Sequence, residues 1–183
     1  MTADIRWRII VLQVILVVAL AFTSGFCYWA ANFTHSYVHN ELVSQQITFP
    51  TANSASLKAL PAADASAMLP YAGQQMQNGD QAKAWADHYI AVHLREIGGG
   101  KTYSQVSALS MAQPQNTALA NEVQTLFRGE TLRGLLLNAW GWWTVGTYAL
   151  YAAVILTVAT VAVFLALVYE VFLAPGLRPR KSA

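Results

Sequence analysis

The four histidines are the first place to look for chemistry. His35 and His39 stand four positions apart. On a helix that spacing puts two imidazoles on one face, where they can share a metal ion. Glu41 is the nearest acid, and no third ligand completes the set locally. The pair is a candidate metal site without a coordination sphere, and the plainer reading is two polar residues leaving an apolar run. His88 and His93 are five apart, about 500° of helical rotation, so they share a face poorly. They read as structural or solvated residues. The run Gly98-Gly-Gly-Lys-Thr102 ends like a phosphate loop. That motif needs its first glycine five positions before the one preceding the lysine, and between a strand and a helix. The position is Arg95, and the glycines follow a helical pattern, so a helix C-cap accounts for them. Neither a catalytic set nor a cofactor site is expected.

The densest polar and aromatic stretch lies further on. Phe127, Arg128, Glu130 and Arg133 are followed by Trp140, Trp142 and Trp143. Arg128 and Arg133 could meet lipid phosphates, and Glu130 could pair with Arg133 at i+3. Tryptophans serve equally in a docking surface and at a membrane interface, so both readings stand. These seven residues are the interaction candidates. Glu170 sits where an apolar run ends, with Arg178 about two turns on, and reads as a snorkelling or paired carboxylate rather than part of an ion path. Gln13 is an amide inside the first apolar run. Ala149, Ala153, Thr157 and Thr160 form a small-residue stripe, as do Ala21 and Gly25. Such stripes let helices approach closely in lipid.

The elements that must position these residues follow from composition. Only 11% of the 183 residues are charged and 55% are hydrophobic, against about 25% charged in soluble domains. Residues 9–31 carry no charge, and neither do residues 135–169. The first run is about 34 Å long as a helix, enough for a hydrocarbon core of roughly 30 Å. It exceeds the short apolar core of a signal peptide and closes on Phe26, Tyr28 and Trp29, which suits an uncleaved anchor. The second run, 135–173, is too long for one span and too short for two. Residues 135–144 are therefore expected as an interfacial Trp-rich segment hinged by glycine, and 145–173 as the span, stopped by Pro175 and Gly176. Arg6 and Arg8 precede the first span, and Arg178, Arg180 and Lys181 follow the second. Residues 32–134 hold six Lys/Arg against seven Asp/Glu. The positive-inside rule then puts the tails 1–8 and 174–183 in the cytoplasm of a bacterial cell and residues 32–134 outside its plasma membrane. A net charge of +2 without a basic stripe points away from nucleic acid. The lone Cys27 can form no internal disulfide, and Phe26 before it does not fit a lipoprotein signal.

The expected fold class is thus an all-α membrane protein, two transmembrane helices with a small, mainly helical domain between them. Residues 32–40 should prolong the first helix. Residues 46–50 look extended up to Pro50, and 51–70, with Pro61 and Pro70, read as loop with at most a weak helix. A helix over 78–97 is the clearest element. Asn78 caps it, Asp80 favours its first turn, Lys83 and Asp87 pair at i,i+4, and Gly98 ends it. A further helix starts after Pro114 with Asn116 as cap and carries Leu119, Val123, Leu126 and Phe127, with Gly129 interrupting it.

At Ala86-Asp-His-Tyr-Ile-Ala-Val-His-Leu-Arg-Glu-Ile-Gly-Gly-Gly-Lys-Thr-Tyr103 and Phe127-Arg-Gly-Glu-Thr-Leu-Arg-Gly-Leu-Leu-Leu-Asn-Ala-Trp-Gly-Trp-Trp143, the chain resembles a family of small two-span membrane proteins of actinobacteria. Members of that family often carry the label of aromatic ring-opening dioxygenases. The resemblance implies the two-span architecture and a bacterial source, and it carries over no catalytic residue. A two-histidine, one-carboxylate iron site, which the label would require, has no counterpart in the sequence. The expected function is a non-enzymatic accessory or interaction subunit of a membrane complex, for which a respiratory assembly is one setting. Its partners would be the lipid bilayer and other membrane subunits or further copies of itself. An extracytoplasmic ligand- or lipid-sensing module around Trp85 and Tyr89 is the second reading, and a metal protein or enzyme using His35, His39, His88 and His93 is the third.

Overall fold

The structure is a computed structural model describing residues 3–173. Among these the chain is all-helical, with one isolated antiparallel bridge between Thr48 and Gln75 and no strand. Helix α1 runs Ala3–Ser44, and α7 runs Thr117–Val168 before a π-helical turn Tyr169–Leu173. Between them lie α2 (Ala55–Lys58), α3 (Ala62–Met68) with a 3-10 turn Leu69–Tyr71, α4 (Gly79–Trp85), a π-turn Ala86–Ile90, α5 (Ala91–Ile97) and α6 (Tyr103–Ala112). The chain divides into two compact units, one of Met1–Phe33 with Gly146–Ala183 and one of Thr34–Val145.

In the first unit, α1 and α7 are both long and apolar enough to cross a membrane, with mean hydropathies of 2.5 and 2.6 in their most apolar windows. Phe22, Phe26, Trp29, Val158 and Leu165 on these two helices are exposed. Among the described residues, polar contacts join the pair at two places. The Ser24 hydroxyl lies 2.9 Å from the Ala153 carbonyl and 2.7 Å from Thr157 Oγ1. It reaches both because Ala153, on the expected small-residue stripe, is only 3% exposed and keeps the helices close. Near the other end Arg6 Nε donates to Glu170 Oε1 at 3.1 Å, and the same guanidinium donates to the Glu170 carbonyl. Glu170 is therefore paired, with Arg6. Pro175, Gly176, Arg178, Arg180 and Lys181 lie outside the described residues.

The second unit closes around Phe49, Met68, Met76, Val106 and Leu126, all nearly inaccessible. Helix α1 contributes Val38 and Leu42 to this core, and α7 contributes Leu126 and Leu136. The helix expected over 78–97 forms, with Asn78 Oδ1 accepting the Gln81 amide at 2.9 Å. It is not α-helical throughout. Ala82, Ala86, Ile90 and Leu94 are all buried and recur every four residues. On an α-helix, three such steps drift by roughly 120° around the axis. The wider i→i+5 turn at Ala86–Ile90 absorbs part of that drift and keeps the four residues on one face. The end is made by Gly99 (φ 55°) and Gly100 (φ 81°), whose left-handed backbone glycine tolerates, and the Gly100 amide donates to Arg95 O at 2.8 Å.

Three expectations need correction. Residues 51–70 are not loop. Ser54 caps α2 by accepting the Leu57 amide at 3.3 Å, and Leu57, Leu60 and Met68 bury themselves from this segment. Packing overrides the weak helix propensity that Ser, Asn and Pro convey in this stretch. Gly129 does not interrupt its helix, because α7 is continuous from its Asn116 cap onward. Leu94 fills the space where a Cβ of residue 129 would stand, 2.3 Å away. Residues 135–144 are likewise no separate hinged segment, since α7 runs unbroken through Gly134 and Gly141. Helix α6 went unforeseen. Thr102 and Gln105 form a capping box at its start, and its Val106 enters the core.

Candidate functional site

The π-turn is where the polar residues of the second unit gather. Both side chains that could do chemistry there are held from other elements. Asp87 accepts from Lys83 Nζ at 2.5 Å, one turn earlier, and from Arg133 at 3.2 Å across to α7. Arg133 reaches Glu130 as well, at 3.4 Å, so the pairing expected at i+3 exists but is the longer of its two. Lys83 Nζ sits 4.7 Å from the centre of the Trp140 ring, a cation–π contact. Arg133 Nε is buried without a hydrogen-bond partner among the described residues. Two cations face two carboxylates here, and the balance suits a clamp between α4 and α7.

His88 Nδ1 lies 2.8 Å from Asp64 Oδ1 on α3. An imidazole donating to a carboxylate through Nδ1 is the orienting half of a general-base arrangement. Among the described residues, however, His88 Nε2 meets no hydroxyl or thiol. His93 Nδ1 turns back to the Tyr89 carbonyl at 2.8 Å. The other two histidines are drawn apart. His35 Nε2 reaches the Trp143 carbonyl at 3.1 Å and its ring stacks on the Trp143 indole with centres 4.1 Å apart. His39 Nδ1 reaches the Gln77 carbonyl at 2.9 Å. Among the described residues no three His, Cys, Asp or Glu side chains converge on a point where a metal ion could sit. Trp85 and Tyr89 meet at a tilt with centres 4.5 Å apart, and Phe49 meets Trp85 edge-on at 5.1 Å, so these two half-buried rings pack against the core around Phe49.

The seven interaction candidates separate into two sets. Arg133, Trp140 and Trp143 turn inward, Trp143 packing so closely on Gly79 that a Cβ there would lie 2.3 Å from its own. Phe127, Arg128 and Trp142 are exposed, with Tyr103 beside Phe127 at 5.9 Å between ring centres. Glu130 is exposed while pairing with Arg133. Helical periodicity separates 127 and 142 from 133, 140 and 143, but nothing local reveals that the inward set meets Asp87, Lys83 and Gly79. Asp64 was missed altogether, since it stands in the stretch read as loop.

No protein-family model, no curated protein and no solved structure matches the chain. The site must therefore be judged on its own chemistry.

For Asp87 that chemistry has a sign. Burial alone would raise its pKa, but the hydrogen bonds and charges of Lys83 and Arg133 outweigh it and hold the carboxyl below the ordinary aspartate value. A group whose pKa is lower folded than unfolded contributes stability above the unfolded value, about 3.9, and loses it as the pH falls through the folded one. Acidification below about pH 4 should therefore loosen the α4–α7 clamp. Asp87→Asn should flatten that acid limb while costing about 0.5–1 kcal/mol at neutral pH, as expected for a partly exposed pair. Thermal unfolding of the full chain in mild detergent across pH 3–7 measures both. Identical acid limbs in the two proteins would mean that Asp87 contributes nothing to the profile.

Proposed function

We propose that the chain is a two-span integral protein of a bacterial plasma membrane, both termini cytoplasmic and residues 32–134 on the outer side. Its role is that of a non-enzymatic interaction subunit for other membrane proteins. One observation carries this reading. The helix pair of the first unit has an open groove of about 560 Å³ lined by Ala21, Ser24, Gly25, Ala153, Thr157 and Val161. Ser24 and Thr157 already satisfy each other and the Ala153 carbonyl, so neither hydroxyl needs a polar partner from a helix entering the groove. Small side chains let backbones approach, and close van der Waals packing is what drives association where lipid tails are as apolar as leucine. The exposed Phe127, Arg128 and Trp142 give the second unit an aromatic and basic contact surface of the kind that anchors partners.

Extraction in a gentle detergent followed by mass measurement tests the proposal. The expected species is larger than one chain, and Gly25→Leu with Ala21→Leu, which fill the groove from its exposed wall, should reduce it to the monomer mass. A monomer already present in the unmodified protein, with no co-purifying chain, would sink the interaction role.

A further inference from the structure

Helix α1 carries three charged residues in its first turns, and they are used differently. Arg6 turns toward α7 and Glu170. Arg8 and Asp4 are exposed and make no hydrogen bond or ion pair among the described residues. Being four apart they stand on one stripe of the helix, with Asp4 about 6 Å nearer its N-terminus. Immediately beyond Arg8 the surface becomes a groove of about 360 Å³ between Trp7, Val11 and Leu12. A second groove of about 480 Å³ follows on the same helix, lined in part by Ile15 and Val18. Val11, Ile15 and Val18 repeat at i, i+4 and i+7, so the two grooves lie along one face.

Along this face the order is carboxylate, guanidinium, then apolar trough. A phospholipid with a terminal primary amine has the complementary order of ammonium, phosphate, then acyl chain. The lengths agree as well. From Arg8 to Val18 a helix rises about 15 Å, half of a hydrocarbon core of roughly 30 Å and thus one leaflet. Guanidinium matches phosphate bidentately, and tryptophan at position 7 suits the depth of a headgroup. We propose that this face holds one aminophospholipid, with its phosphate on Arg8, its ammonium on Asp4 and an acyl chain along Val11, Ile15 and Val18. The site rests on the membrane-spanning reading above and adds a defined ligand to it.

Native mass spectrometry of the full chain in mild detergent tests the site by titration with phosphatidylethanolamine, phosphatidylglycerol and phosphatidylcholine of identical acyl chains. The expected result is one phosphatidylethanolamine retained about tenfold more tightly than either of the others. Arg8→Gln should abolish that retention, Arg8→Lys should restore part of it, and Asp4→Asn should erase the preference while leaving binding of phosphatidylglycerol. Equal retention of the three lipids by the unmodified protein, or an unchanged preference in Arg8→Gln, would overturn the assignment. A carbonate wash of the source membranes separates the two levels. Release of the chain into the supernatant defeats the membrane reading and the site together, whereas a chain that stays bound without lipid preference defeats the site alone.

Discussion

Phe49→Ala should cost about 3–5 kcal/mol, enough to unfold much of the second unit at physiological temperature. Phe49 is 2% exposed and its ring touches Tyr71 and Trp85, with centres 5.4 and 5.1 Å apart. It stands on the short connection after α1, where its amide donates to Gln74 O at 2.9 Å and so holds two irregular segments together. Removing the ring deletes the apolar burial and leaves a cavity between aromatic neighbours that cannot collapse without moving backbone. A domain of this size has little stability to lose. Phe49→Leu keeps most of the volume and should cost less than about 1.5 kcal/mol. Near-ultraviolet circular dichroism during thermal unfolding in mild detergent reads the difference. Near-equal midpoints for the alanine and leucine variants would show that the ring is not the keystone described here.

The second large effect compares two glycines that the sequence makes look alike. Gly79→Ala should destabilise by about 1–3 kcal/mol, and Gly129→Ala by clearly less. The difference lies in what each new methyl group would strike. At residue 79 it would lie 2.3 Å from Trp143 Cβ, 2.6 Å from its Cγ and 3.0 Å from the Trp140 Cα, and neither that Cβ nor that Cα moves unless α7 moves. At residue 129 the nearest atom, also at 2.3 Å, is Leu94 Cδ2, the tip of a side chain that can change rotamer. Helix propensity alone favours alanine over glycine by up to about 1 kcal/mol at an internal position such as 129, which narrows the cost there further. If Gly129→Ala melts earlier than Gly79→Ala, this account of the α4–α7 contact is wrong.

The parts of the fold legible in the sequence were those written locally. Asn78 with Gln81, Lys83 with Asp87, the triple glycine and Asn116 each specify a helix end or face within a few residues, and each does so in the structure. The two long apolar helices were legible for the same reason, through uninterrupted composition. What escaped was decided by distant partners. Glycine 129 signals a break by propensity and is instead a seat for Leu94. Arg133 has a plausible local partner in Glu130, yet its shorter bond goes to Asp87, which no spacing rule could nominate. His35 and His39 have the spacing of a metal pair but are claimed by two separate carbonyls on different segments. Residues 51–70 owe their helices to the burial of Leu57, Leu60 and Met68, a reward visible only once the core exists. The capping box at Thr102 and Gln105 is local too, but it directly follows three glycines that specify the end of one helix and not the start of the next.

The π-turn at Ala86–Ile90 bears on how relatives of this chain should be aligned. A turn closed by i→i+5 bonds houses one residue more than the α-helical turn it replaces. A related protein in which that turn is ordinary α-helix would be one residue shorter between Ala82 and Leu94, with its buried positions spaced by three and four instead of always four. Sequence comparison would register this as a single-residue gap in the middle of the best-defined helix, a place where gaps are normally penalised most. Such a gap, flanked on both sides by matching apolar faces, would reflect the extra residue of this turn and should be kept in the alignment.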